Sequence, residues 1–121
     1  MADSTVTFSE LRDELREFVR ERDWERFHNP KDLAMALSVE ASELLEHFLW
    51  RGPAASIRTP ARRQAIADEL ADVLIYGLHI ANALDIDVSE AVLHKIAMSA
   101  EKYPTDRFKG RAREPGEGGR P

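Results

Sequence analysis

Ile66-Ala67-Asp68-Glu69-Leu70-Ala71-Asp72-Val73-Leu74-Ile75-Tyr76-Gly77-Leu78-His79 is the stretch that decides the fold of this chain. Its apolar residues fall on nearly every side of a 3.6-residue turn, which marks a helix buried among other helices. Thr59-Pro60 opens that helix with an N-cap residue and a proline at the first helical position, and it is expected to run to about Leu84. Within it, Glu69 and Asp72 stand at i,i+3, so both carboxylates share one face, their Cβ atoms about 5–6 Å apart. Burying an ion costs several kcal/mol, against about 5–15 kcal/mol of net stability for a whole domain. The same spacing recurs upstream in Glu40-Ala41-Ser42-Glu43. An isolated pair of this kind is ordinarily a solvated helix face. Two pairs, one embedded in an apolar helix, call for a compensating charge. A hard divalent cation suits an all-oxygen ligand set and leaves room for water and phosphate.

Helix punctuation occurs three more times. Thr7-Phe8-Ser9-Glu10 is a capping box opening a helix with Leu11, Leu15, Phe18 and Val19 on its inner side. An aromatic connection from Asp23 to Asn29 holds Trp24 and Phe27, and Asn29-Pro30 then starts a second helix. That helix carries Leu33, Leu37, Ala41, Leu44 and Phe48 as one stripe up to Gly52-Pro53, with a loop from Gly52 to Thr59 beyond. Asp87-Val88-Ser89-Glu90 begins a fourth helix that Pro104 closes. Nothing in the chain shows strand alternation, a hairpin dipeptide or an internal repeat. The expected fold is all-α, an antiparallel four-helix bundle. Residues 1–104 are expected to form the helical domain, and residues 105–121, rich in Arg, Gly, Pro and Glu, a mobile polar tail.

At 121 residues the chain is long enough for one core. Its 17 basic and 22 acidic residues leave a net charge of −5, which argues against a nucleic-acid polymer as partner, since that needs a basic surface. Without cysteine there is no disulfide framework and no thiolate chemistry. No apolar run reaches membrane-spanning length and the N-terminus lacks the apolar core of a signal peptide. A cytoplasmic protein with no membrane association is the expectation.

At 100° per residue, Glu40, Glu43, His47 and Trp50 fall on one side of the second helix, and Glu69, Asp72, Tyr76 and His79 on one side of the third. Lys95, Ser99 and Lys102 share a face of the fourth. Convergence of the three faces would line a pocket with four carboxylates, two lysines and two aromatic rings. That inventory suits a polyphosphate carrying a base: cations neutralise phosphate, and rings cover the base. His47 and His79 are expected to be rim or packing residues. Glu46 and Asp68, rotated away from the pairs, are expected to be solvated acids.

These residues resemble a family. Arg22-Asp23-Trp24-Glu25-Arg26-Phe27-His28, the Glu40 and Glu69 motifs with their flanks, Lys95 and Lys102-Tyr103-Pro104 are similar to the MazG-like all-α nucleotide pyrophosphohydrolases, most of all the dCTP pyrophosphatase branch. The resemblance covers about Leu11 to Pro104. It implies hydrolysis of a nucleoside triphosphate to the monophosphate and pyrophosphate. By position it makes Glu40, Glu43, Glu69 and Asp72 the ligands of Mg²⁺, with Mn²⁺ as an alternative. It places Trp24, Trp50 and Tyr76 about the nucleoside and Lys95 and Lys102 near the phosphates. Glu43 is the candidate to orient or deprotonate water, and Lys95 to steady the leaving group. Leu15 and Ser99 depart from the branch, which carries histidine and asparagine there, so the resemblance does not assign the base.

Two rivals stand beside this reading. One is a phosphoribosyl-ATP or dUTP pyrophosphohydrolase on the same scaffold. The other is a non-catalytic helical interaction protein, against which the retention of both acidic pairs and both lysines argues. The resemblance also implies self-association as a dimer or tetramer. Ile75 and Leu78, off the stripe of Ile66, Leu70, Val73, Gly77 and Leu84, are the expected contacts with a second chain, and Trp24 the residue reaching a neighbour's pocket.

Overall fold

Local cap chemistry sets the helix starts. Thr7 Oγ1 accepts from the Glu10 N–H at 3.1 Å while Glu10 Oε2 accepts from the Thr7 N–H at 2.9 Å, a complete capping box. Asn29, Thr59 and Asp87 accept from the backbone N–H three residues on, at 2.9, 3.2 and 2.8 Å. Each such bond satisfies an orphan donor of the first turn and contributes about 1 kcal/mol. All four starts fall where the sequence places them.

The computed structural model describes residues 1–112, and among these all regular structure is helical. One compact unit, Met1–Ile86, holds α1 (Phe8–Glu21), α2 (Pro30–Glu46), the single turn α3 (Pro53–Ser56) and α4 (Pro60–Leu84). A second unit begins at Asp87 and holds α5 (Val88–Lys102) and the single turn α6 (Thr105–Phe108). No helix among the described residues is long and apolar enough to cross a membrane.

Three boundaries differ from the sequence expectation. The loop after Gly52 contains α3, because Pro53 with its preset φ nucleates a turn in which Ser56 Oγ donates back to the Gly52 carbonyl at 2.9 Å. The segment after Pro104 contains α6, on which Phe108 meets Tyr103 edge to face at 5.1 Å; the rest of the expected tail, beyond residue 112, lies outside the described residues. The third is the end of α2, at Glu46 rather than near Gly52. The Phe48 and Leu49 N–H groups reach back only three residues, to Leu45 and Glu46, which tightens the chain into turns. Trp50 then adopts a left-handed φ of 64°. Trp50 therefore does not continue the face of α2.

α4 is the centre of the first unit, packing along α2 and against α1. A Cβ placed on Gly77 would lie 4.0 Å from Leu37 Cδ1, while Glu40 and Glu43 meet Glu69. Residue numbers rise along α2 as they fall along α4, so the two helices run antiparallel. α1 is tied to α4 by a reciprocal pair: Arg12 Nε donates to Asn82 Oδ1 at 2.9 Å, and Asn82 Nδ2 donates to the Arg12 carbonyl at 3.2 Å. Arg12 Nη2 also reaches the Ala81 carbonyl at 3.2 Å.

Val19, Leu33, Leu78 and Ala81 are the buried apolar residues. Leu78, expected to meet a second chain, lies instead inside the protomer at 7% exposure. Two helices flank α4, so a side chain off the α2-facing stripe is covered by α1 rather than left for a partner. Conversely Leu70, expected inside, is exposed, as is Leu74. Arg12 grips α4 near its C-terminal end, well beyond both leucines. Leu33→Ala, at the 2%-exposed position that starts the α2 seam, should lower stability by about 2–5 kcal/mol in urea unfolding. Loss below 1 kcal/mol would show that α2 docks elsewhere.

Candidate functional site

The α2–α4 seam turns polar at its middle. The sequence puts Glu40 and Glu43 one turn apart on α2, and the antiparallel packing brings Glu69 of α4 against them. One carboxylate oxygen from each lies within 4.8 Å of the others. All three side chains are half-buried. Glu40 Oε2 and Glu69 Oε2 are shut off from solvent and have no hydrogen-bond partner. Asp72 lies outside this tight group, yet near enough for its charge to act on Glu40.

The electrostatics follow from the crowding. Burial pushes the Glu40 carboxyl up to about 7; hydrogen bonding and charge from Glu43 add to this, and so do Asp72 and Glu69. Like charges held this close resist joint ionisation. Three converging carboxylates, two of them with an orphaned buried oxygen, are the donor set of a hard divalent cation such as Mg²⁺ or Mn²⁺, so the residues present fit the metal. Glu46 and Asp68 point to solvent as expected, Asp68 accepting from Gln64 at 2.9 Å.

The other candidate residues are distributed unevenly. Tyr76 sits one turn beyond Asp72 on α4, half-buried, with its ring 5.8 Å from that of His79. Trp24 follows α1, half exposed and edge-on to Phe18 at 5.9 Å. Trp50 is 99% exposed on its left-handed turn. Lys95, Ser99 and Lys102 lie on α5 in the second unit, with Lys102 Nζ 5.3 Å from the Tyr103 ring centre. The first unit thus assembles the carboxylates and Tyr76, and carries the two tryptophans at its surface.

One feature escapes the sequence reading, and a second is left between two alternatives by it. Arg62 donates through Nη2 to the His47 carbonyl at 2.6 Å and through Nε to the Ser56 carbonyl at 2.8 Å. It thereby clasps the end of α2 and the end of α3, and spans the turn that carries Trp50. Nothing in the local pattern marks Arg62, since its partners are backbone carbonyls far along the chain. His79, expected at the rim or in the packing, is a packing residue, only 8% exposed and edge-on to His28 at 4.6 Å. Burial, and the charge of His28, bring its imidazole down to about 4. A signal was present: His79 and Asn82 are polar residues one turn apart in the largely apolar C-terminal half of α4.

Comparison with known proteins finds a matching family model, similar curated proteins and a similar solved structure. The MazG-like family model matches residues 35–117. A dCTP pyrophosphatase 1 from Mus musculus is 38% identical over 109 residues, 88% of this chain and 64% of that protein. Its counterpart from Homo sapiens is 37% identical over 111 residues, 89% of this chain and 65% of that one. The chain thus spans just under two thirds of the length of these relatives. A crystal structure of a pyrophosphatase from Archaeoglobus fulgidus is 40% identical, with a TM-score of 0.74, and covers 79% of this chain and 91% of its own.

The raised Glu40 carboxyl has a consequence for stability. Between its ordinary 4.5 and about 7 the folded state holds a proton that the unfolded chain has released. That contribution is complete below 4.5 and is lost as pH rises through 7. His79 acts in the opposite sense, its contribution being lost as pH falls from 6.5 toward 4. A single melting profile mixes the two, so the comparison is with Glu40→Gln. Without metal, wild type should lose stability relative to Glu40→Gln as pH rises from about 5 to 7, and saturating Mg²⁺ should cancel that trend. A difference flat with pH would refute the carboxylate crowding.

Proposed function

The chain belongs to the MazG-like family, and on that premise we propose that it hydrolyses nucleoside triphosphates, giving a nucleoside monophosphate and pyrophosphate. The observation that carries this reading is the three-carboxylate seam with its two orphaned buried oxygens. The relatives named dCTP pyrophosphatase support a dCTP-like nucleotide as substrate. Against the non-catalytic alternative, an interaction surface has no use for unpartnered acids sealed between two helices.

In this proposal Glu40, Glu43 and Glu69, joined by Asp72, hold Mg²⁺, which when bound supplies Lewis-acid activation of phosphate and water. Glu43 orients a water and takes its proton as the water oxygen bonds the α-phosphorus. The bond from the α-phosphorus to the bridging oxygen breaks, and pyrophosphate departs. Lys95 and Lys102 offset the charge that collects on it. Trp24, Trp50 and Tyr76 cover the nucleoside, and the Arg62 clasp holds the Trp50 turn in place. The four-helix bundle and a dimer or tetramer belong to the same proposal. Support for self-association comes from Met35 and Val39 on α2 and Leu70 and Leu74 on α4, all exposed and spaced one turn apart. Apolar area of this kind contributes about 25 cal/mol per Å² when a partner covers it.

The deciding experiment follows pyrophosphate release from a nucleotide panel with and without Mg²⁺. Glu43→Gln and Asp72→Asn should each lower turnover by about a hundredfold or more without lowering the melting temperature of the metal-free protein. Reaction in ¹⁸O-water should place the label in the nucleoside monophosphate. Release of inorganic phosphate and a diphosphate would overturn the reading. Leu74→Glu should shift the mass seen by analytical ultracentrifugation to that of a single chain, whereas an unchanged oligomer would exclude this face from the contact.

A further inference from the structure

α2 stops short of its own sequence pattern. Had the helix continued, Trp50 would stand two turns beyond Glu43 and within about 20° of the same side. Instead α2 ends at Glu46, and Trp50 takes a left-handed φ of 64° with its side chain fully exposed. We infer that Arg62 is a positioning residue: by occupying the His47 carbonyl it ends α2, and it thereby holds Trp50 clear of the carboxylate seam, where the ring is free to close on a bound nucleotide. The inference deepens the proposed function, on which it rests, by naming the residue that decides where Trp50 stands.

Three observations carry it. The first is a competition for one acceptor. In a continued helix the His47 carbonyl would accept from the Arg51 N–H, four residues on. No backbone N–H reaches that carbonyl here. Arg62 Nη2 donates to it at 2.6 Å and Arg51 Nη1 at 3.4 Å, so side-chain donors have taken the place of the helical bond. A cation at the C-terminal end of a helix is also favoured by the helix dipole.

The second is the rigidity of the clasp. The Arg62 N–H donates to Thr59 Oγ1 at 3.2 Å, which fixes the root of the side chain in the first turn of α4. At the far end Nε donates at 2.8 Å to the carbonyl of Ser56, a fully buried residue. One planar fork therefore holds both ends of the segment 47–56, which a lysine ammonium on its flexible stem does not match. No carboxylate draws the fork away. The sequence has no acid between Glu46 and Asp68, and Arg62 makes no ion pair among the described residues.

The third is the conformation of Trp50 itself. A positive φ is disfavoured for a bulky side chain and persists only where the surroundings impose it. An exposed indole has no packing of its own to impose anything, so the constraint reaches Trp50 through the backbone, and Arg62 supplies it. Glu43 marks the side of α2 that meets α4. Released from the clasp, α2 would continue and turn the indole onto that side, toward the start of α4 and away from solvent.

The test uses the full chain, with wild type, Arg62→Gln, Arg62→Lys, Trp50→Ala and the double variant Arg62→Gln/Trp50→Ala. In the ligand-free proteins, backbone carbon NMR shifts of residues 47–51 should move toward helical values in Arg62→Gln and less far in Arg62→Lys. With dCTP and Mg²⁺, Arg62→Gln should raise KM about tenfold with kcat within about threefold of wild type, and Arg62→Lys should recover part of that loss. Trp50→Ala should raise KM at least as much, and the double variant should be no worse than Trp50→Ala within about twofold, since a residue that acts through another adds nothing once the other is gone. Unchanged shifts in Arg62→Gln, or KM effects that multiply in full in the double variant, would overturn the inference. An unchanged KM in Trp50→Ala would overturn it too, while leaving the pyrophosphohydrolase reading intact. Absence of any hydrolysis by wild type would overturn that reading instead, and the shifts of residues 47–51 would still decide whether Arg62 ends α2. Should Arg62→Gln fail to fold, Arg62→Lys carries both readouts, and unchanged shifts there again overturn the inference.

Discussion

Mutual repulsion among Glu40, Glu43 and Glu69 is the constraint around which the first unit is arranged. Three carboxylates within 4.8 Å in a partly buried seam are a local instability, and α2 and α4 must hold together around them. The packing on either side does so. On one side Leu37 meets Gly77, and Leu78 and Ala81 are buried beyond it. On the other, Arg62 binds the last turn of α2 to the first turn of α4. Glu40 relieves the remaining strain by keeping its proton to about 7. A divalent cation relieves it more completely, which ties metal affinity to fold stability through the same three side chains.

How much of this is legible in the sequence depends on how local the cause is. Thr7, Asn29, Thr59 and Asp87 act on backbone donors three residues away, so the helix starts can be read from a few letters. The pairing of Glu40-Glu43 with Glu69 is legible for a different reason: acids inside an apolar helix admit few environments. The end of α2 is not legible. It depends on Arg62, fifteen residues beyond His47, and on a left-handed tryptophan that no composition rule anticipates. Leu78 fails for a similar reason. Helical periodicity separates one side of α4 from another, but it does not say that α1 covers the side that α2 leaves.

His79 shows how far a residue's role depends on its neighbours. From the sequence it is one more polar group beside Tyr76, and a rim position and a packing position are equally open to it. Its burial comes from α1 and from His28, which the 3₁₀ turn Glu25–Phe27 delivers to the top of α4. A polar ring is retained there at a cost in desolvation large enough to bring its imidazole down to about 4. Apolar side chains would pack that position without such a cost, so stability alone does not account for a histidine.

The same logic separates the two ends of α4. Around Glu69 the unmet requirement is positive charge, because every side chain that converges there is an acid. Around His79 the neighbouring charges of α1 are already balanced, Arg16 by Asp13 and Arg20 by Glu17, and burial keeps the imidazole neutral. One long helix, unbroken from Pro60 to Leu84, sets the distance between the two environments. The unbroken helix thus acts as a ruler as well as a core element, and a kink anywhere between Asp72 and His79 would uncouple the two ends without removing either.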